Sequence, residues 1–247
     1  VALGNKAHAG YKGTSLGSSA ISGREGTTLV GANTNSASLY TTVVGTDSVI
    51  NSDGTSYTAL GRSINVQGAA ATVVGSKNTV DNKNGKVYSG VANNVMGSAN
   101  TIEASNGVTI QGIGNKVTDA YKDMNISIWE AYTIGKGDYS ALAKKKSGAV
   151  AIVGGANTVS KQTDSTVIGY DNKLTSDKEK GSQNVFMAGS HNTLTNVSDS
   201  LVMGNDNTIS DRSNVISFGY QNAITANNAV AIGNGASVSV EGGVALG

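Results

Sequence analysis

Side chains that commonly transfer protons or bind metals are scarce in this sequence. Of its 247 residues, only two are histidine, His8 and His191, and none is cysteine. Zinc sites and disulfides built on cysteine are therefore excluded. The acidic residues are scattered along the chain, whereas acid–base catalysis requires titratable groups positioned together. We expect no enzymatic activity, and we predict no catalytic residue, no cofactor and no metal ion.

The glycine-rich segments do not complete a phosphate-binding motif. Gly-Asn-Gly at 233–235 lacks a third glycine and a following helix, and Ile-Gly-Lys-Gly at 134–137 lacks the frame of a P-loop. The formal net charge is +1 and charged residues make up 14% of the chain. No basic face is implied, so we expect neither nucleic acid nor an anionic membrane surface as a partner.

The elements that must position the side chains are short and repetitive. An apolar stretch that ends in glycine recurs along the whole chain, as in Thr-Val-Val-Gly at 42–45 and Leu-Val-Met-Gly at 201–204. The predicted glycine anchors are positions 4, 17, 31, 45, 61, 75, 97, 112, 135, 154, 169, 189, 204, 219, 233 and 247. Most intervals are 13 to 16 residues long, which indicates a stacked repeat.

A second marker keeps the same register as the glycines. An asparagine follows by three residues, and an aliphatic residue by five, after the anchors at 75, 97, 112, 154, 169, 189, 204 and 219. Two strands of about five residues with a tight turn after each need about fourteen residues. We predict an all-β parallel solenoid with stacked asparagine ladders and no helical segment. In this prediction the glycines and asparagines occupy left-handed turn positions, and sixteen turns make a rod of roughly 75 Å.

The strand before each glycine carries apolar residues at adjacent positions, as Val43 and Val44 do. Successive residues of a strand point to opposite faces, so both faces of this strand are predicted to be buried. One face can close the thin core of the solenoid. The other face needs a second cover, and self-association is the simplest way to provide it.

With these motifs, the sequence resembles the YadA-like head of trimeric autotransporter adhesins. The resemblance rests on Val-Ala-Leu-Gly at 1–4 and 244–247 and on Val-Ala-Ile-Gly-Asn-Gly-Ala at 230–236. It implies a left-handed parallel β-roll with turns of 14–15 residues, packed as a homotrimer. It also implies that residues 1–247 are a single head from a longer protein, which a stalk and a C-terminal outer-membrane anchor hold at the bacterial cell surface. Unlike the common family pattern, many repeat alanines are replaced by Thr or Asn.

The resemblance further implies attachment to host cells. Relatives bind extracellular matrix proteins such as collagen and fibronectin, or host receptors such as carcinoembryonic-antigen-related adhesion molecules. A structural spacer or an autoaggregation module without its own receptor site is the alternative. An ice-binding solenoid based on Thr28, Thr42, Thr58 and Thr72 and a polysaccharide-active enzyme are further hypotheses, which thermal hysteresis and glycan assays would test.

Long intervals between anchors predict inserted loops at residues 81–90, 119–131, 141–148 and 177–183, which are places where a repeat protein can bind a partner. The candidate partner-binding residues are Tyr121, Met124, Ile126, Ile128, Trp129 and Tyr132. Exposed aromatic residues are enriched at binding hot spots. The other interpretation is a short extra strand at 125–128, with Trp129 bracing the loop against the roll or an adjacent subunit.

Overall fold

Runs of β-branched and aliphatic residues before each glycine form short strands, as their preference for pleated, half-buried surfaces predicts. The structure, a computed structural model, describes residues 1–50, 57–68, 70–81, 90–122, 129, 133, 138, 140, 147–179 and 181–247. Within these residues every strand pairing is parallel and the chain forms a solenoid of about 14 turns. The prediction of an all-β parallel solenoid is therefore confirmed.

The strands alternate between the two main sheets. In chain order they are β1 (Ala2–Leu3), β2 (Thr14–Leu16), β3 (Ile21–Ser22), β4 (Thr28–Val30), β5 (Asn35–Ser36), β6 (Thr42–Thr46), β7 (Val49–Ile50), β8 (Thr58–Arg62), β9 (Asn65–Val66), β10 (Thr72–Ser76), β11 (Thr79–Asp81), β12 (Asn94–Ser98), β13 (Thr101–Glu103), β14 (Val108–Ile113), β15 (Lys116–Thr118), β16 (Val150–Gly155), β17 (Thr158–Ser160), β18 (Gln162–Thr163), β19 (Ser165–Tyr170), β20 (Lys173–Thr175), β21 (Ser182–Gln183), β22 (Val185–Ser190), β23 (Thr193–Thr195), β24 (Ser200–Asn205), β25 (Thr208–Ser210), β26 (Ile216–Tyr220), β27 (Ala223–Ile224), β28 (Val230–Asn234), β29 (Ser237–Val238) and β30 (Val244–Leu246). Fifteen of them form the long sheet, thirteen form the short sheet, and β18 pairs with β21.

The glycine anchors stack on one another along the long sheet. Gly45 pairs with Gly61, which pairs with Gly75, and each has a positive φ. A Cβ built on Gly45 would lie 1.6 Å from the carbonyl oxygen of Gly61. This column therefore requires glycine both for its backbone conformation and because the next rung passes too close for a side chain.

One predicted anchor was wrong. Strand β14 pairs directly with β16, and Gly112 pairs with Gly154. The chain from 114 to 149 therefore adds no rung to the long sheet, and Gly135 itself lies outside the described residues. Fifteen stacked strands at about 4.8 Å each make a rod of roughly 67 Å, shorter than the sequence predicted.

The core is a narrow layer between the two main sheets. The long sheet contributes the residue two positions before each glycine, such as Val43 and Ile152, and the short sheet contributes the residue five positions after it, such as Ile50 and Leu174. The exposed fraction of each of these four side chains is 1% or less. Small and medium aliphatic side chains fill this gap, which explains how the chain folds with only 5% aromatic residues.

The asparagines form a continuous ladder inside the solenoid. The amide nitrogen of Asn157 donates to Oδ1 of Asn115, and Asn172 donates in the same way to Oδ1 of Asn157. The Nδ2 of Asn157 also donates to the carbonyl oxygen of Gly169 at 2.9 Å. The predicted ladder is confirmed, and it includes the asparagines 78, 100, 115, 157, 172, 192, 207 and 222.

The predicted backbone conformation of these asparagines was wrong. The left-handed residue is the one before each asparagine, as at Lys77, Ala156 and His191. The asparagine itself points inward, where its side chain satisfies the peptide groups of a neighbouring rung that water cannot reach.

Among the described residues, Trp129, Thr133 and Ser140 have helical backbone, whereas the sequence predicted no helical segment. Among the described residues, no helix has the length and apolar character needed to cross a bilayer.

Candidate functional site

A column of apolar side chains runs along the outer face of the long sheet. These residues directly precede the glycine anchors, and we call them the apolar stripe. They are Leu3, Leu16, Val30, Val44, Leu60, Val74, Met96, Val153, Ile168, Ala188, Met203, Phe218, Ile232 and Leu246, with Gln111 as the one polar member of the column. Because each pairs with the next in register, the stripe extends over all fifteen strands of the sheet.

The apolar stripe is accessible in the single chain. Met96 is 52% exposed, Val153 45% and Met203 43%. Soluble monomers rarely expose a continuous apolar surface of this length, and such surfaces mark interaction sites. The prediction that both faces of the strand are buried is confirmed for the inner face. The outer face is exposed in the single chain, and its burial by self-association stays a prediction.

The neighbouring outward column changes character along the molecule. Three residues before the glycine, Thr28, Thr42, Thr58 and Thr72 stack in register, as the ice-binding hypothesis requires. From β22 onward the same column becomes apolar, with Phe186, Leu201, Ile216, Val230 and Val244. The threonine array is therefore only one column wide beside the stripe, and the C-terminal third presents the widest apolar surface.

The predicted partner-binding residues are only partly described. Tyr121 is half-buried, and burial and then the charge of Asp119 raise the pKa of its hydroxyl. Trp129 is 71% exposed, so little of its side chain packs against the rest of the chain. Met124, Ile126, Ile128 and Tyr132 lie outside the described residues, as do most of the predicted loops at 81–90 and 141–148. Partner contact and bracing both stay predictions for this insertion.

The predicted loop at 177–183 is partly strand. Its residues 177–179 are exposed, and Ser182 and Gln183 form β21, which pairs with β18. One glycosylation sequon of the sequence begins at Asn196, near this segment. Asn196 is buried, and its side chain accepts hydrogen bonds from Ser176 and Asp177 while donating to Asp211. Its amide is therefore not accessible to modification.

His191 lies between two aspartates that are distant from it in the sequence. Its Nε2 is 3.8 Å from Asp171 and its Nδ1 is 3.9 Å from Asp206. The ring of Tyr170 approaches it edge-on, with 6.1 Å between centroids. These contacts follow from stacking, because His191 and both aspartates come two residues after an anchor. Within the described part of the chain, no group of three or more His, Asp or Glu side chains is arranged to hold a metal ion.

The outer face of the short sheet carries hydroxyl groups, and sequence reasoning missed it. Its signal is a threonine or serine on each side of the buried aliphatic residue that follows the asparagine. Ten of twelve outward positions carry a hydroxyl on six rungs of this sheet. These rungs are β17, β20, β23, β25, β27 extended to Thr225, and β29 extended to Ser239. We call these ten the hydroxyl face: Thr158, Ser160, Thr175, Thr193, Thr195, Thr208, Ser210, Thr225, Ser237 and Ser239.

The same sheet has a depression at β7 and β9. Its volume is about 300 Å³, and it is lined by Asp47, Val49, Ser63, Ile64, Asn65 and Gln67. The carboxylate of Asp47 is held by the amide of Asn33 at 3.0 Å and lies 3.8 Å from Nε of Arg62. This arrangement combines polar side chains with one exposed aliphatic side chain.

No model of a known protein family matches this sequence, and no curated protein matches it. The function is therefore inferred from the residues and their geometry.

Proposed function

We propose that this chain is the head of a bacterial surface adhesin, which binds host surfaces and catalyses no reaction. The observation that carries the proposal is the apolar stripe on a solenoid whose Val-Ala-Ile-Gly rungs resemble those of YadA-like heads. A rigid repeat with an uncovered apolar face suits assembly into a larger binding structure. The near-neutral charge also suits a surface that does not bind nucleic acid.

In this proposal the chain is a left-handed roll, and three copies pack side by side as a homotrimer. The apolar stripe of each copy then faces the other two, and the strand before each glycine is buried on both faces. Burial of apolar surface favours association by about 25 cal/mol per Å². A repeated stripe in register along the sheet provides this gain on every rung except that of Gln111.

The proposed partners are an extracellular matrix protein or a host receptor such as a carcinoembryonic-antigen-related adhesion molecule. The full-length protein then lies at the bacterial cell surface, held by an outer-membrane anchor. The insertion that contains Tyr121, Met124, Ile126, Ile128, Trp129 and Tyr132 is the proposed contact. Support comes from Trp129, whose exposed indole has the character of an interface hot spot.

Adhesion of the purified chain tests this function. We expect it to bind immobilised collagen, fibronectin or the extracellular domain of such a receptor, and we expect deletion of residues 119–131 to abolish that binding. Trp129→Ala should weaken it about tenfold or more, the loss typical of a hot-spot residue. Tyr11→Ala, which removes an aromatic side chain that is 70% exposed elsewhere, is the matched control and should bind normally.

A spacer or autoaggregation module predicts a different result. It would keep its self-association after the deletion and would bind none of these host proteins. Failure of the intact, folded oligomer to bind any of the probes would contradict the adhesin function and favour this alternative.

A further inference from the structure

The hydroxyls of the hydroxyl face make almost no hydrogen bonds within the chain. Of these ten, only that of Thr225 has a partner among the described residues, donating to the carbonyl oxygen of Val238 at 3.4 Å. Inward-facing hydroxyls behave differently, since those of Ser165 and Ser200 donate to backbone carbonyls at 2.8 and 2.7 Å. The outward hydroxyls can therefore bind an external group.

The chemistry of the hydroxyl face selects an uncharged ligand. Each hydroxyl can both donate and accept a hydrogen bond, which matches the hydroxyl groups of a sugar. The two other outward positions on these rungs are Lys173 and Ala223, so Lys173 is the one charged side chain among the twelve. An anionic polymer would need several cations along its length.

The dimensions of the face select a linear ligand. Neighbouring rungs are about 4.8 Å apart, close to the length that one sugar ring adds to an extended chain. Each rung offers two outward hydroxyl positions, so the face is a narrow strip parallel to the long axis of the solenoid. A polymer lying along it would make one weak contact per rung, and linked weak contacts add to a much higher affinity.

The depression at β7 and β9 is an independent indication of a ligand on this sheet. Asp47, Asn65 and Gln67 supply a carboxylate and two amides, which can bind sugar hydroxyls. The exposed side chain of Val49 supplies an apolar contact for the C–H groups of a sugar ring. Both features lie on the short sheet, away from the apolar stripe of the long sheet.

We infer that the outer face of the short sheet binds an uncharged polysaccharide chain that lies along the axis of the solenoid. The hydroxyl face holds the extended chain, and the depression, which β11, β13 and β15 separate from that face, is a second contact for a sugar residue. This inference names a class of partner for the proposed adhesin head. It rests on that proposal because self-association through the long sheet leaves the short sheet exposed.

Retention of soluble polysaccharides by the immobilised chain tests the inference. The probes are hydroxyethylcellulose and mannan, both uncharged, with heparin as an anionic comparison. We expect retention of at least one uncharged polymer and little retention of heparin. Replacing three hydroxyls with methyl groups, in Thr193→Val, Thr195→Val and Thr208→Val together, should weaken binding about tenfold or more.

A matched control uses hydroxyls in the segments that connect a strand of the short sheet to the next strand of the long sheet. Thr163→Val with Ser213→Ala should leave retention within about twofold, because these residues lie off the hydroxyl face. Equal binding by the triple variant and the wild type, or stronger retention of heparin, would overturn the inference. A third outcome would also overturn it: the wild type retains neither uncharged polymer but causes thermal hysteresis of ice growth, and the triple variant loses that hysteresis.

The binding of matrix proteins separates this inference from the proposed function. If the chain binds a matrix protein but retains no uncharged polymer, the polysaccharide site is wrong and the adhesin function stands. If it binds neither, both are contradicted.

Discussion

Gln162 lies inside the solenoid with no hydrogen-bond partner for either polar atom of its side chain among the described residues. Its backbone belongs to β18, which pairs with β21. A buried amide without partners costs about 1–3 kcal/mol, because it loses its hydrogen bonds to water. This residue is therefore a weak point in an interior whose asparagines are otherwise bonded.

We predict that Gln162→Met raises the free energy of unfolding by about 1–2 kcal/mol, since methionine has a similar shape and no amide to desolvate. Urea unfolding followed by circular dichroism measures the change. Gln183→Met, on the neighbouring strand and exposed, is the control and should change stability little. A lower midpoint for the Gln162 variant would mean that the amide has partners in solution.

At the scale of the elements, the asparagine ladder aligns the rungs. It continues from Asn115 to Asn157, which are 42 positions apart in the chain, with an amide hydrogen bond of 2.9 Å like the one between Asn207 and Asn192. The short strands beside the ladder also keep their register across this insertion, since β15 pairs with β17 and Val117 lies opposite Val159. An insertion can therefore leave the solenoid and return without disturbing the stack.

We predict that Asn157→Ala lowers the free energy of unfolding by about 3 kcal/mol. The change removes the donors to Asn115 and Gly169 and leaves the backbone amide of Asn172 without its acceptor. Thermal or urea unfolding is the measurement. Asn234→Ala, an exposed asparagine on β28, should lose less than about 0.5 kcal/mol. Equal losses at the two positions would show that the ladder adds nothing to stability.

At the scale of the whole molecule, the two outer faces have different chemistry. The long sheet presents the apolar stripe, and the short sheet presents the hydroxyl face, with the thin core between them. In the proposals above, self-association uses the long sheet and polysaccharide binding uses the short sheet. The difference in chemistry follows from the alternation of side chains along each strand: most inward residues of both sheets are aliphatic, with a few serines such as Ser15 and Ser36, whereas the outward residues of the two sheets differ.

We predict that Met203→Asp prevents self-association while the chain stays folded. Burying a carboxylate against apolar side chains is costly, whereas the same carboxylate is hydrated in a separated chain. Analytical ultracentrifugation should give a trimer near three times 24.9 kDa for the wild type and a monomer for the variant. Ser210→Asp places the same charge on the short sheet and should remain a trimer. A trimer in both variants would place the interface elsewhere.

The sequence by itself determined the repeat, the strand type and the positions of most rungs. Glycine and asparagine at constant spacing are local signals, because each rung uses the same turns and places the same side chains inside. The prediction failed at Gly135, where an insertion contains an apolar residue followed by glycine without contributing a rung. Spacing alone cannot distinguish a long turn of the solenoid from a segment outside it.

Only the tertiary structure decided which side chains meet across rungs. It placed Asp171 and Asp206 beside His191, aligned the hydroxyl face, and turned the asparagines inward with the left-handed residue before them. These contacts join residues that are distant in the chain, and they depend on which strands pair. Pairing is set by the stacking of whole rungs, which buries the core and satisfies the backbone together.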